Sequence, residues 1–152
     1  MGTETKETII FRPMTRADIP WVQELDLVSF ADQWSRGTWY EELISSIAYY
    51  LVMEWQGEPL GYAGLWFVAR EGQVTRVAIK KHLRGQGLGK ILTENWITKA
   101  KQLGALNMTL EVRASNISAQ KVYLATGFKN MGVRPHYYRD NDEDAIIMAL
   151  EF

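Results

Sequence analysis

The apolar-rich runs Tyr49–Trp55 and Leu60–Val68 and the mixed run Gln73–Ile79, near the middle of the chain, read as three strands. The turn signals Gln56-Gly57-Glu58 and Glu71-Gly72 between them predict an antiparallel meander. Upstream, Thr8–Pro13 reads as a short strand. Ile19, Val22, Leu25 and Val28 follow at helical spacing, with Thr15 and Asp18 as an N-cap signal and Pro20 expected to delay the regular helix. A second cap signal, Thr38 with Glu41, predicts a short helix through Ser46. Downstream, Leu88, Ile91, Leu92, Ile97 and Ala100 mark a helix over Leu88–Leu103 that Gly104 stops. Asn107–Val112 then reads as a strand, Ser118–Ala125 as a short helix ended by Gly127, and Phe128–Val133 and Ala145–Glu151 as a closing pair of strands. This order predicts an α/β (α+β) fold, a mixed sheet with helices on both faces. No repeat or linker interrupts it, so one domain is expected over residues 1–152, with residues 1–6 a polar tail.

Composition narrows the chemistry. Seventeen Lys plus Arg against 18 Asp plus Glu leave a net charge of -1, so no global field would hold nucleic acid or an anionic membrane. With no cysteine, disulfides, thiolate metal sites and cysteine nucleophiles are excluded; His82 and His136, the two histidines, sit in no metal or triad motif. The longest stretch without strongly polar side chains, Pro59–Ala69, falls well short of the roughly 18 residues a membrane span needs. The N-terminus starts like a myristoylation signal but has Lys6 where Ser or Thr is required, and no signal peptide follows, so the expected location is cytoplasmic.

The most informative stretch is Arg84-Gly85-Gln86-Gly87-Leu88-Gly89-Lys90, a glycine-rich loop between a strand and the start of the long helix. Glycine permits positive φ and close backbone approach, and the helix start adds partial positive charge, so such a loop can bind phosphate through backbone N–H groups. Five basic residues, Arg76, Lys80, Lys81, Arg84 and Lys90, and no acidic one lie between Gln73 and Lys90. The spacing is not a Walker loop, because three residues separate Gly85 from Gly89 and Ile91 follows Lys90. Nor is it a dinucleotide fingerprint, since the glycines alternate and five residues intervene after the strand.

Strand, R-G-x-G-x-G loop and helix together resemble the coenzyme-A-binding motif of the GNAT family of N-acetyltransferases. A second segment, Leu110-Glu111-Val112-Arg113-Ala114-Ser115-Asn116 followed by Ala119, Tyr123 and Gly127-Phe128, resembles the signature of the family's ribosomal-protein-alanine acetyltransferases. So does the end of the chain, His136-Tyr137-Tyr138-Arg139-Asp140 leading into Glu143–Met148. The likeness is detailed from Val74 onward. In the first half, Phe30-Ala31-Asp32-Gln33-Trp34-Ser35 stands where a Pro-Trp-Ser run is usual: Trp34 and Ser35 match, and the proline is missing.

The resemblance implies a GNAT fold, with a mostly antiparallel central sheet of about six to seven strands flanked by about four helices. It implies acetyl-CoA as co-substrate, no metal, and direct transfer within a ternary complex. Arg84, Gly85, Gln86, Gly87, Leu88, Gly89 and Lys90 would hold the pyrophosphate, the backbone of Val77, Ala78 and Ile79 would pair with the pantetheine arm, and Asn116 would bond it. On its own, Asn116 reads equally as a helix cap. Periodicity alone makes Glu111 a solvated carboxylate and Tyr123 a core residue; the resemblance makes Glu111 the general base for the acceptor ammonium and Tyr123 the acid that protonates the departing thiolate.

It further implies that Trp34, Tyr137 and Tyr138 border a groove for a peptide N-terminus. The implied acceptor is a ribosomal protein or another protein N-terminus, with no stable nucleic-acid partner and a monomer or weak dimer as the form. A lysine or small-molecule amine as acceptor, and a non-catalytic module binding acetyl-CoA or RNA, are the alternatives. The acidic run Asp140-x-Asp142-x-Asp144 imitates a calcium loop but has Ala145 at the position that needs glycine and no exit helix.

Overall fold

The computed structural model describes residues 8–152, and these form β1 (Ile10–Pro13), α1 (Ile19–Ser29), α2 (Arg36–Ile44), β2 (Ala48–Trp55), β3 (Glu58–Val68), β4 (Glu71–Ile79), α3 (Leu88–Gln102), β5 (Asn107–Arg113), α4 (Ile117–Ala125), β6 (Lys129–Tyr138) and β7 (Glu143–Glu151). The polar tail expected over residues 1–6 lies outside the described residues. Seven strands make one mixed sheet in the order β1-β2-β3-β4-β5-β7-β6, in which only the β4–β5 pair is parallel.

Element boundaries follow local chemistry, and several depart from the sequence pattern. The Thr15 N–H donates to Asp18 Oδ2 at 2.8 Å, the capping interaction the sequence signals, but a short 3-10 turn over Arg16–Asp18 leads into α1. The regular helix accordingly starts only at Ile19, and Pro20 sits in its first turn, where its missing N–H removes no bond. Helix α2 is capped by Ser35, which accepts from the Thr38 N–H at 3.1 Å, three residues before the signal read at Thr38, and ends at Ile44 rather than Ser46. Strand β6 extends to Tyr138, so Tyr137 and Tyr138 lie at a strand end, where an irregularity between Arg134 and Tyr138 includes His136 at φ 54°.

The two faces of the sheet bury different cores. Helices α3 and α4 cover one, where Leu88, Leu92 and Trp96 meet Met53, Leu65, Met108, Leu110 and Met148. Leu92 is fully buried there, so truncating it to alanine would cost about 2–5 kcal/mol. Helices α1 and α2 cover the other face along β2–β4, through Ile19, Val22, Leu25 and Trp39 against Tyr50, Val52, Tyr62 and Ala78.

What positions the site is a fork in the sheet. Opposite Gly64 of β3, β4 sets two residues, Thr75 and Arg76, a bulge with one extra residue that bends the strand. Gly64 is required there because a Cβ would run into the Tyr50 ring and the Thr75 hydroxyl. Strands β4 and β5 pair only at Glu71–Gln73 with Asn107–Thr109. Beyond Thr109, β5 stays paired to β7 as far as Arg113, while β4 stays paired to β3 as far as Ile79.

Candidate active site

A cleft of about 360 Å³ opens in the fork, lined by Val77, Ala78 and Ile79 of β4, by Arg84, Gly85, Gly87, Leu88, Gly89 and Lys90, and by Asn116, Ala119, Val122 and Tyr123 across from them. Of the residues predicted to hold the co-substrate, only Gln86 is absent from this wall; its side chain donates to the His82 carbonyl at 3.5 Å.

The loop owes its shape to two left-handed glycines, Gly85 at φ 79° and Gly87 at φ 82°. Gly87 is the N-cap of α3 and offers no side-chain cap, and the first helical bond runs from the Ile91 N–H to the Gly87 carbonyl. The N–H groups of Leu88, Gly89 and Lys90 are consequently left for an anion, in the field of a 15-residue helix. Leu88 turns inward and is buried, anchoring the loop in the core.

Two of the basic residues near this loop serve other purposes. Arg84 donates to the Ile79 carbonyl and the Ser29 hydroxyl, each at 3.0 Å, so it ties the loop to β4 and α1. Arg76 does not join the basic flank: the bulge turns it to the opposite side of the sheet, where it is buried against Asp26.

Asn116 is the N-cap of α4, accepting from the Ala119 N–H at 3.2 Å, and also lines the cleft, so capping and a ligand-facing position coincide. Tyr123 is half-buried on α4, edge-on to Phe128 at 5.6 Å. Burial pushes its phenol up to about 12, so it stays protonated at neutral pH. Its hydroxyl has no hydrogen-bond partner among the described residues.

Glu111 stands on β5 two residues past the last position paired to β4, on the face that α1 and α2 cover farther along the sheet. It bonds Tyr137, raising that phenol above its ordinary value, and its charge and that of nearby Asp32 add to the effect of burial. The Arg134 guanidinium lies 3.5 Å from Glu111 Oε1. Tyr137 and Tyr138 stack edge to face at 5.0 Å, and Arg113 lies 4.0 Å over the Tyr138 ring.

Arg113 also pairs with Asp140 and Glu143 at 3.0 and 3.3 Å, and Asp142 bonds His136 at 2.8 Å. The acidic run thus braces the hairpin that carries the tyrosine pair. Trp34, predicted to contact an acceptor, packs at 4.8 Å on Trp39 and lies over Arg76, so it supports the linker between α1 and α2 from beneath.

Ser29, Phe30 and Arg134 carry no local signal. Ser29 and Phe30 wall the cleft yet belong to the end of α1, and the Ser29–Arg84 bond spans 55 residues. Arg134 meets Glu111 only because β6 and β5 flank β7.

The profile described as "Acetyltransferase (GNAT) domain" matches residues 18–143. A putative [ribosomal protein bS18]-alanine N-acetyltransferase of Bacillus subtilis is 41% identical over 90% of this chain and 91% of its own length. The [ribosomal protein bS18]-alanine N-acetyltransferase of Escherichia coli is 31% identical over 88% of this chain and 90% of its own. A crystal structure of the Escherichia coli ribosomal-protein-S18-alanine N-acetyltransferase superposes with a TM-score of 0.84 at 29% identity, covering 94% of this chain and 93% of that one. With the forked sheet, the uncapped loop and this similarity, the chain belongs to the GNAT family of acetyltransferases.

Proposed function

We propose that this enzyme transfers the acetyl group of acetyl-CoA to the N-terminal α-amine of a protein, an alanine of a small-subunit ribosomal protein. The observation that carries the reading is the fork between β4 and β5. Its cleft offers uncapped helix N–H groups and an open strand edge on one side, and Glu111 stands past the same fork with Tyr137 beside it. Similarity to the bS18-alanine acetyltransferases over most of both lengths supports the acceptor.

Those N–H groups fit a pyrophosphate, and the edge of Val77–Ile79 fits an amide-bearing arm laid along it as an added strand would lie. Acetyl-CoA, when bound, would supply the acetyl thioester. An amine at neutral pH is mostly ammonium and cannot attack. Glu111 accepts its proton, directly or through water, once the acceptor has displaced Arg134. The amine nitrogen then bonds the thioester carbon, the C–S bond breaks and Tyr123 gives its proton to the leaving sulfur; the second proton that the nitrogen sheds restores the Tyr123 phenol through water, and Glu111 releases the first to solvent. Holding both reactants in one groove supplies the remainder of the rate.

The reading is tested by intact-mass analysis after incubation with acetyl-CoA and two peptides, one with a free N-terminal alanine and one N-blocked with an internal lysine. One acetyl on the first alone is the expected result. Acetylation of the second alone moves the acceptor to lysine side chains, and acetylation of neither moves it to small amines or a binding role.

A further inference from the structure

Arg76 is a buried guanidinium that the transfer chemistry does not use. Its side chain is 3% exposed, and Nη1 lies 3.8 Å from Asp26 Oδ2 without a hydrogen-bond partner among the described residues. Asp26 is already engaged: it accepts from the Tyr62 hydroxyl at 2.5 Å and the Trp39 indole at 3.2 Å.

The rest of the Arg76 contacts go to one place. The cation lies 4.4 Å from the Phe30 ring and 4.1 Å from the Trp34 ring, and Nη2 donates to the Asp32 carbonyl while pairing with Asp32 Oδ2 at 3.3 Å. It thus grips alternate residues of the linker between α1 and α2. A planar fork between two rings can hold a backbone carbonyl and a carboxylate together, which an ammonium cannot do with the same geometry.

That linker borders both halves of the site. Phe30 walls the cleft in the fork. The Asp32 side chain remains 85% exposed despite its ion pair, because Arg76 is too deeply buried to follow it outward. Its charge reaches Tyr137, which bonds Glu111.

We propose that Arg76 is a positioning residue for the acceptor: it fixes the Phe30–Trp34 linker as the wall of the acceptor groove facing Tyr137 and Glu111, and it holds the exposed Asp32 carboxylate where the incoming ammonium meets it. This rests on the acceptor approaching across Glu111, and not on which amine it is. A carboxylate at the mouth of the groove favours a cationic acceptor and speeds its capture.

The test uses the full chain and the variants Asp32→Ala, Asp32→Glu, Arg76→Lys and their combinations, measured on whichever amine the wild type acetylates. Because Asp32 is exposed, Asp32→Ala is expected to keep the wild-type Tm and acetyl-CoA Kd while raising the acceptor KM about tenfold with kcat within twofold. Asp32→Glu should recover most of that loss. Arg76→Lys should raise the acceptor KM similarly, and Asp32→Ala added to it should do little more, since both act through one linker.

A purely structural Arg76 predicts instead a lower Tm for Arg76→Lys and a kinetically silent Asp32→Ala. An acceptor KM within twofold of wild type in Asp32→Ala, or additive effects in the double variant, would overturn the proposal. Hydrogen exchange separates this from a wrong acceptor assignment. Faster uptake over residues 30–35 in Arg76→Lys, with residues 85–90 unchanged, supports the clamp even if no peptide is acetylated, and unchanged uptake over 30–35 refutes it.

Discussion

The two halves of the site are made of different material. The side proposed for the co-substrate offers backbone: the N–H groups at the start of α3, two left-handed glycines and the edge of β4. The side proposed for the acceptor offers side chains from distant segments: Glu111 of β5 meets Arg134 and Tyr137 of β6, and the charge of Asp32, from the linker after α1, acts on Tyr137. A backbone cradle accepts any side chain the turn tolerates, whereas a side-chain groove changes with each substitution. The first half therefore suits a ligand shared by a whole family, and the second is where acceptors can be distinguished.

The contrast is strongest at Glu111. Glu111→Gln keeps the shape and removes the proposed proton acceptor, so kcat should fall by about 10³-fold while acetyl-CoA binds as before. Stopped-flow transfer rates beside calorimetric binding check this, and a near-wild-type rate at neutral pH would remove Glu111 from the mechanism. The opposite half is probed at Gly87, at φ 82°. A β-branched residue in left-handed backbone is strained by about 1–2 kcal/mol or more, so Gly87→Val should weaken acetyl-CoA binding about tenfold and leave the acceptor KM within a few-fold. If the acceptor KM rises as much, the two halves are not separable.

Tyr123 lies between them. Tyr123→Phe should lower kcat about tenfold, because a thiolate is a fair leaving group even without a proton. Since the phenol sits at about 12, the wild-type rate should show no alkaline fall from this residue up to pH 10. A descending limb centred near pH 8 in the wild type, absent from Tyr123→Phe, would contradict this.

The smallest effect is expected at the brace of the acceptor hairpin. Glu143 accepts from the Ser115 N–H at 2.6 Å and pairs with Arg113, and with these partners its carboxyl falls to about 2 from an ordinary 4.5. A depressed carboxyl stabilises the fold above its unfolded value, so this contribution is present above about pH 4.5 and lost as pH falls toward 2. Glu143→Gln should raise the acceptor KM a few-fold at neutral pH. It should also flatten the acid dependence of hydrogen exchange in β6, with exchange at residues 85–90 unaffected.

Legibility in the sequence followed the same division. The apolar runs at Tyr49–Trp55 and Leu60–Val68, bounded by turn residues, and the helical stripe from Leu88 placed their elements within a few residues, because strand length, turn signals and helical spacing are all local. The boundaries that shifted were those set by competition. Ser35 outcompeted Thr38 as a cap, and β6 ran on to Tyr138 because β7 was there to pair with it. Arg76 shows the limit most clearly. A charge count assigns it to the basic flank, but at the bulge it shares the face of Ala78 and is buried among Asp26, Phe30 and Trp34.

By itself the sequence determined the order of elements, the absence of cysteine chemistry and the glycine-rich loop before α3, because glycine placement, capping and periodicity act over a few residues of chain. Only the tertiary structure decided that β4 and β5 part after Thr109, that Phe30 and Ser29 wall the resulting cleft, and that Glu111 meets Arg134 and Tyr137. These depend on pairings and bulges between residues up to tens of positions apart. Their free energy comes from burying whole faces together, which no local window of sequence contains.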